Sequence, residues 1–178
     1  MHELCMKSAL ELADLIRKAE VSSEEVVTAH LDRIGEVNEH VNAVVVTLSD
    51  SALKAAKAAD DASDEERARP FHGVPMTIKE NLDLVGTPTT NGVPMNSTSM
   101  PTSTAPVVTR MIDAGAIPIG RTNLPEFGSR LDTDNPLRGR TYNPWNPGLT
   151  PGGSSGGDAG NIECSSVMLN LREAPWRN

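Results

Sequence analysis

Gly73-Val74-Pro75-Met76-Thr77-Ile78-Lys79 reads as a short buried strand whose terminal lysine is the member that does not fit. A short apolar run bounded by Gly and a charge is what a strand covered on both faces looks like. A lysine in that place is desolvated, which disfavours its charged form and draws its pKa toward the range where an amine serves as a base. The plainer alternative is that Lys79 snorkels from the strand end, or pairs with Glu80 or Asp83.

Helical and apolar stretches alternate on both sides of this strand. Toward the N-terminus, Ser8 to Glu20 sets Leu12, Leu15, Ile16 and Ala19 on one helical face. Ser22 with Glu25 forms a capping box that opens a second helix striped by Val27, His30, Leu31, Ile34, Val37 and Val41. The β-branched run Val41 to Leu48 is expected to become a strand. Ser49 or Asp50 then caps a helix to about Ala62, and Asp60 to Arg69 reads as a charged surface loop. Toward the C-terminus, Thr87 to Thr104 is Thr/Pro/Ser/Gly-rich and reads as a long loop. Ala105 to Ala114 predicts a helix through Val107, Val108, Met111 and Ile112, and Ile117 to Gly120 a strand. Pro125 to Gly160 shows little periodicity, and loops that long are uncommon unless they build a site. The alternation predicts an α/β fold with a mainly parallel or mixed sheet.

Composition narrows the function classes. Of 178 residues, 38% are hydrophobic and 22% charged, compatible with a packed core. A net charge of -8 argues against capture of nucleic-acid phosphates or anionic membranes. No apolar run reaches membrane-span length, and Glu11, Asp14 and Arg17 interrupt any signal-like segment, so a cytoplasmic location is the expectation. Cys5 and Cys164 form no CxxC pattern, and His2, His30, His40 and His72 have no metal-ligand spacing, so neither metal nor cofactor is expected.

The other chemistry-bearing stretch is Thr150-Pro151-Gly152-Gly153-Ser154-Ser155-Gly156-Gly157. Paired glycines let hydroxyls and N–H groups converge on one small volume. By itself the string also fits a flexible Gly/Ser linker, and it lacks the Gly-Lys-Ser/Thr ending of a phosphate loop. Its order with Gly73-Val74-Pro75, Lys79-Glu80-Asn81, Gly120-Arg121-Thr122-Asn123-Leu124-Pro125-Glu126-Phe127 and Asn143-Pro144-Trp145 resembles the amidase signature family. Asp134-Asn135-Pro136-Leu137-Arg138-Gly139-Arg140-Thr141 is similar to the general amidase branch rather than to the A subunit of a transfer-RNA amidotransferase.

The resemblance implies a truncated amidase signature fold, with N-terminal helices packed on part of a mixed sheet. It implies hydrolysis of a carboxamide C–N bond by a serine nucleophile, relayed through a second serine after a cis peptide to a neutral lysine. By motif position Lys79 matches the lysine and Ser154 the bridging serine. Gly152, Gly153, Ser155, Gly156 and Gly157 support the loop, and Gly128 lies near the acyl side of a small-molecule amide substrate. An unassisted Ser hydroxyl is a weak nucleophile, and a desolvated amine reached through a second hydroxyl can take its proton without histidine.

After Gly160 the family's pattern is lost, and the expected Gly-Gly-Ser-Ile-Arg type segment with the nucleophile is not found. Residues 1–160 therefore read as the N-terminal part of an amidase domain, and 161–178 as a divergent tail of the kind a frameshift or faulty gene junction produces. Cys164, Ser165 and Ser166 stand too near Ser154, without flanking Gly-Gly, to replace the nucleophile. This chain is expected to be inactive, and to expose a sheet through which copies associate or a partner binds. A non-catalytic remnant and a protein like the amidotransferase's A subunit are the competing readings. Glu126 with Asp132 suggests no glycosidase pair, and both are expected to bond loop backbone.

Overall fold

The computed structural model describes residues 2–164 and the backbone of residues 170–171. A 3₁₀ turn at Glu3–Met6 leads into helix α1 (Ala9–Arg17), then α2 (Ser23–Val41), strand β1 (Val44–Thr47) and α3 (Ser49–Asp60). A short α4 (Asp64–Arg67), β2 (Pro75–Lys79), α5 (Pro106–Asp113), β3 (Ile117–Thr122), α6 (Gly156–Glu163) and β4 (Asn170–Leu171) follow. The sheet is mixed, in order β1-β3-β2-β4: β1 runs antiparallel to β3, while β2 is parallel to both β3 and β4. Helices lie against this partial sheet, as expected.

Local chemistry explains the element ends. Ser8–Glu11, Ser22–Glu25 and Ser63–Glu66 each close a reciprocal capping box, satisfying N–H groups that have no partner inside the helix. The third converts part of the expected surface loop 60–69 into α4. Asp60, at the end of α3, reaches back to accept from the backbone N–H groups of Ser23 (2.6 Å) and Glu24 (3.0 Å), which ties α3 to the start of α2. Asn42 ends α2 in the left-handed conformation, φ 51°, so the strand begins at Val44 rather than Val41. Neither Ser49 nor Asp50 caps α3: the cap position is Leu48 and no side chain bonds there.

Three apolar clusters hold the elements together. Leu12, Ile16, Val26 and Val74 join α1 to α2 and the approach to β2. Val27, Ile34, Ala52, Ala56, Ile117 and Ile119 pack α2 and α3 on β3. Met76, Ile78, Leu82 and Val108 pack α5 on β2. Of the expected α5 face only Val108 is fully buried; Val107 and Ile112 point to solvent among the described residues.

His30 lies inside α2 as a core residue, wholly buried, its Nδ1 2.8 Å from the Val26 carbonyl oxygen. Burial pushes its pKa below the ordinary histidine value of 6.5. The unfolded chain then binds more protons than the folded one, so stability rises with pH through this window and falls as pH drops below about 6.5. Urea unfolding at pH 7.5 and 5.5 is expected to show a lower stability at pH 5.5, with His30→Gln flattening the difference by up to about 1.4 kcal/mol per pH unit.

Candidate active site

Lys79 is the last residue of β2 and 1% exposed. Alternation along the strand sends Met76 and Ile78 toward α5, and Thr77 and Lys79 toward α6. Its amine does not snorkel to solvent: Nζ lies 2.7 Å from Ser154 Oγ, a contact spanning 75 residues. The Gly153–Ser154 peptide bond is cis. Gly128, φ +66°, stands so close that a Cβ built on it would lie 3.8 Å from Ser154 Oγ. Lys79, Ser154 and Gly128 are thus brought to one place from a strand end, a Gly-rich loop and a 3₁₀ turn at Glu126–Gly128.

The Gly/Ser string is an ordered clamp, with α6 beginning inside it at Gly156. Thr133 Oγ1 donates to the Gly152 carbonyl (2.9 Å) and accepts from the Gly156 N–H (3.1 Å), gripping the loop on both sides of Ser154. Ser155 occupies the N-cap of α6 and supports it through its carbonyl, which accepts from the Ala159 N–H at 3.0 Å. Gly157 is needed for close approach. A Cβ there would sit 2.4 Å from Asn123 N, 2.6 Å from Asn123 O and 2.9 Å from Ala43 O, all backbone atoms. Gly157→Ala is therefore expected to cost about 1–3 kcal/mol or more, readable as a lowered urea midpoint, because the obstructing atoms cannot rotate away.

The expected loss of pattern at residue 161 leaves no break in the helix. α6 runs to Glu163, and Asn161 is buried with its Nδ2 donating to Thr77 Oγ1 at 3.1 Å. Ser165 and Ser166 lie outside the described residues. Cys164 has its thiol pKa raised by burial, opposite to what a nucleophile needs.

Behind the lysine lies a set of buried charges. Glu80, fully buried, accepts from Thr90 Oγ1 at 2.7 Å and from Arg138, whose Nη2 is 2.5 Å from Oε1. Glu80 therefore pairs with Arg138. Arg121, also fully buried, donates to Leu82 O (2.6 Å), to Lys79 O (3.4 Å) and to Thr87 Oγ1. Burial pushes the Arg121 guanidinium down to about 10, opposed by the Glu80 and Asp83 carboxylates. Asn143, Asn146 and Thr150 bond within the 143–152 loop, and Trp145 Nε1 donates to Glu163 at 2.8 Å. Asp132 accepts from Thr150 Oγ1 at 2.6 Å, a side chain rather than the backbone partner expected of it.

Thr133, Arg121 and Asp158 were not among the candidate residues. Thr133 sits in an aperiodic loop, and a threonine that bonds two glycines nineteen and twenty-three positions away leaves no local signal. A buried arginine in a strand, as at 121, is the kind of mismatch that singled out Lys79. Among the described residues no helix is long and apolar enough to cross a membrane.

The family described as Amidase matches residues 25–171. The indoleacetamide hydrolase of Bradyrhizobium diazoefficiens is 54% identical over 155 residues, covering 84% of this chain and 29% of that protein. The A subunit of the glutamyl-tRNA(Gln) amidotransferase of Acidothermus cellulolyticus is 42% identical over 172 residues, covering 96% of this chain and 34% of that one. The solved structure of a fatty acid amide hydrolase superposes with a TM-score of 0.89 at 29% identity, covering 94% of this chain and 30% of its own. The chain spans about a third of the length of the relatives it matches.

Proposed function

We infer the activity from one premise: this chain belongs to the amidase signature family. It contributes the proton-relay part of a hydrolase that cleaves the C–N bond of small carboxamides. The observation that carries this reading is the 2.7 Å contact between the buried Lys79 Nζ and Ser154 Oγ, with Gly128 beside it. In the proposed reaction a serine oxygen forms a bond to the amide carbon while its proton passes to Ser154 Oγ, and the Ser154 proton passes to the neutral Lys79 amine. Collapse of the tetrahedral adduct breaks the C–N bond as the relay returns a proton to the leaving nitrogen. Water then repeats the sequence on the acyl-enzyme, releasing the acid. No Gly-Gly-Ser-Ile-Arg type segment stands among these 178 residues, so the attacking serine of the proposed reaction is not assigned to any of them and they are expected to show no turnover by themselves.

Indoleacetamide is the first substrate to test, since a relative 54% identical is named for its hydrolysis. The 178-residue chain is expected to release no ammonia from it above background; turnover that disappears in Lys79→Ala would overturn the inactivity. A second reading, glutamine hydrolysis as part of an amidotransferase, draws on the 42% identity over 172 residues. It predicts that a complete domain bearing these residues prefers glutamine to indoleacetamide. Among the described residues β1 and β4 each have one paired side. Copies are expected to associate there, visible as a concentration-dependent elution volume.

A further inference from the structure

We propose that Asp158 is a positioning residue for Lys79: its carboxylate, held by the Thr122 hydroxyl, stabilises the ammonium form that the lysine takes on when the relay loads it. This rests on the proposed relay, and it concerns a residue to which the family resemblance assigns no role. The placement follows from three contacts between α6 with its leading loop and the sheet on which it packs. Ser154, just before the helix, meets Lys79 (2.7 Å). Asn161, in its second turn, meets Thr77 (3.1 Å). Asp158 lies between them on the same helical face, three residues before Asn161, and meets Thr122 Oγ1 at 2.7 Å.

Thr122 is the register partner of Lys79 in the parallel β2–β3 pair. Thr77 and Lys79, two residues apart on one face of β2, span about 6.6 Å. A carboxylate seated between the contacts to these two residues, and fixed by the neighbour strand beside Lys79, is within charge range of the lysine. Asp158 is wholly buried, so little solvent screens the interaction. The other buried charges at this end of β2 are engaged elsewhere: Glu80 with Arg138 and Thr90, and Arg121 with Leu82, Lys79 and Thr87 at their carbonyl and hydroxyl oxygens. Asp158 is the carboxylate that α6 brings to the Lys79 face.

The test is the titration of the Lys79 side chain, followed by NMR of its Nζ and Cε in the 178-residue chain. Asp158→Asn retains an oxygen that can accept from Thr122 and removes the negative charge, an amide N–H2 taking the place of the second oxygen. Its Lys79 midpoint is expected to fall by about one to two pH units. An unchanged midpoint in folded Asp158→Asn would leave Asp158 a mere hydrogen-bond acceptor and overturn the proposal. Should that variant fail to fold, the Asp158 carboxyl carbon in the unaltered chain decides. It is expected to read as ionised at pH 7, and a protonated carboxyl there also overturns the proposal. Neither readout depends on turnover, so failure here leaves the Lys79–Ser154 relay standing, and failure of the relay is read from activity instead.

Discussion

A chimera carrying residues 1–160 of this chain in place of the matching third of the Bradyrhizobium indoleacetamide hydrolase is expected to hydrolyse indoleacetamide, and Lys79→Ala to lower its rate by about 10³-fold or more. Lys79 is itself 1% exposed and meets, at 2.7 Å, a hydroxyl 75 residues away, the contact through which the relay runs. Ser154→Ala breaks the same relay from its other end and is expected to cost a similar factor. The two losses should not add, because either one stops proton transfer through the pair. Lys79→Arg separates base chemistry from mere positive charge. A guanidinium does not deprotonate in the working range, so arginine should rescue nothing. A folded chimera that retains its rate in Lys79→Ala would end the relay reading.

Arg121→Met is expected to destabilise the chain by about 3–5 kcal/mol, a large part of the total stability of a small domain. The guanidinium is fully buried and spans from β3 to the segment following β2, donating to the carbonyls of Lys79 and Leu82 and to the Thr87 hydroxyl. Methionine fills much of the volume but leaves those acceptors without a donor and removes a cation near the buried Glu80. Urea unfolding followed by circular dichroism gives the number. Arg17→Met serves as a control: that side chain is about half exposed and pairs with Asp14 on the helix surface, so its loss should be within about 1 kcal/mol. A neutral Arg121→Met would mean that the segment after Lys79 is held by its apolar contacts alone.

Much of the fold was legible because it is written in local periodicity. The helices over 9–17, 23–41, 49–60 and 106–113 and the strand at 75–79 all follow from apolar spacing and serine–glutamate caps at their starts or from the run of apolar residues itself. The errors fall where local signals compete. Asn42 turns left-handed and delays β1, and Ser63 with Glu66 makes a helical turn out of a stretch that charge alone marks as loop. The α6 helix was hidden because Gly156, Gly157 and Gly160 are poor helix formers; they are there because backbone and side-chain atoms of other segments come too close for a Cβ.

The sequence by itself determined the class of fold, the family, and that a lysine at the end of a buried strand and a serine between glycine pairs were the residues to watch. It did so because desolvation of a lysine and crowding around glycines are each visible in a few neighbouring letters. What only the tertiary structure decided is who meets whom. Lys79 meets Ser154, Glu80 meets Arg138, and Thr133 clamps the serine loop. These partners lie 19 to 75 positions apart, and the choice among them rests on which strand face turns toward α6. That is set by sheet register and helix packing, which no single stretch of sequence contains.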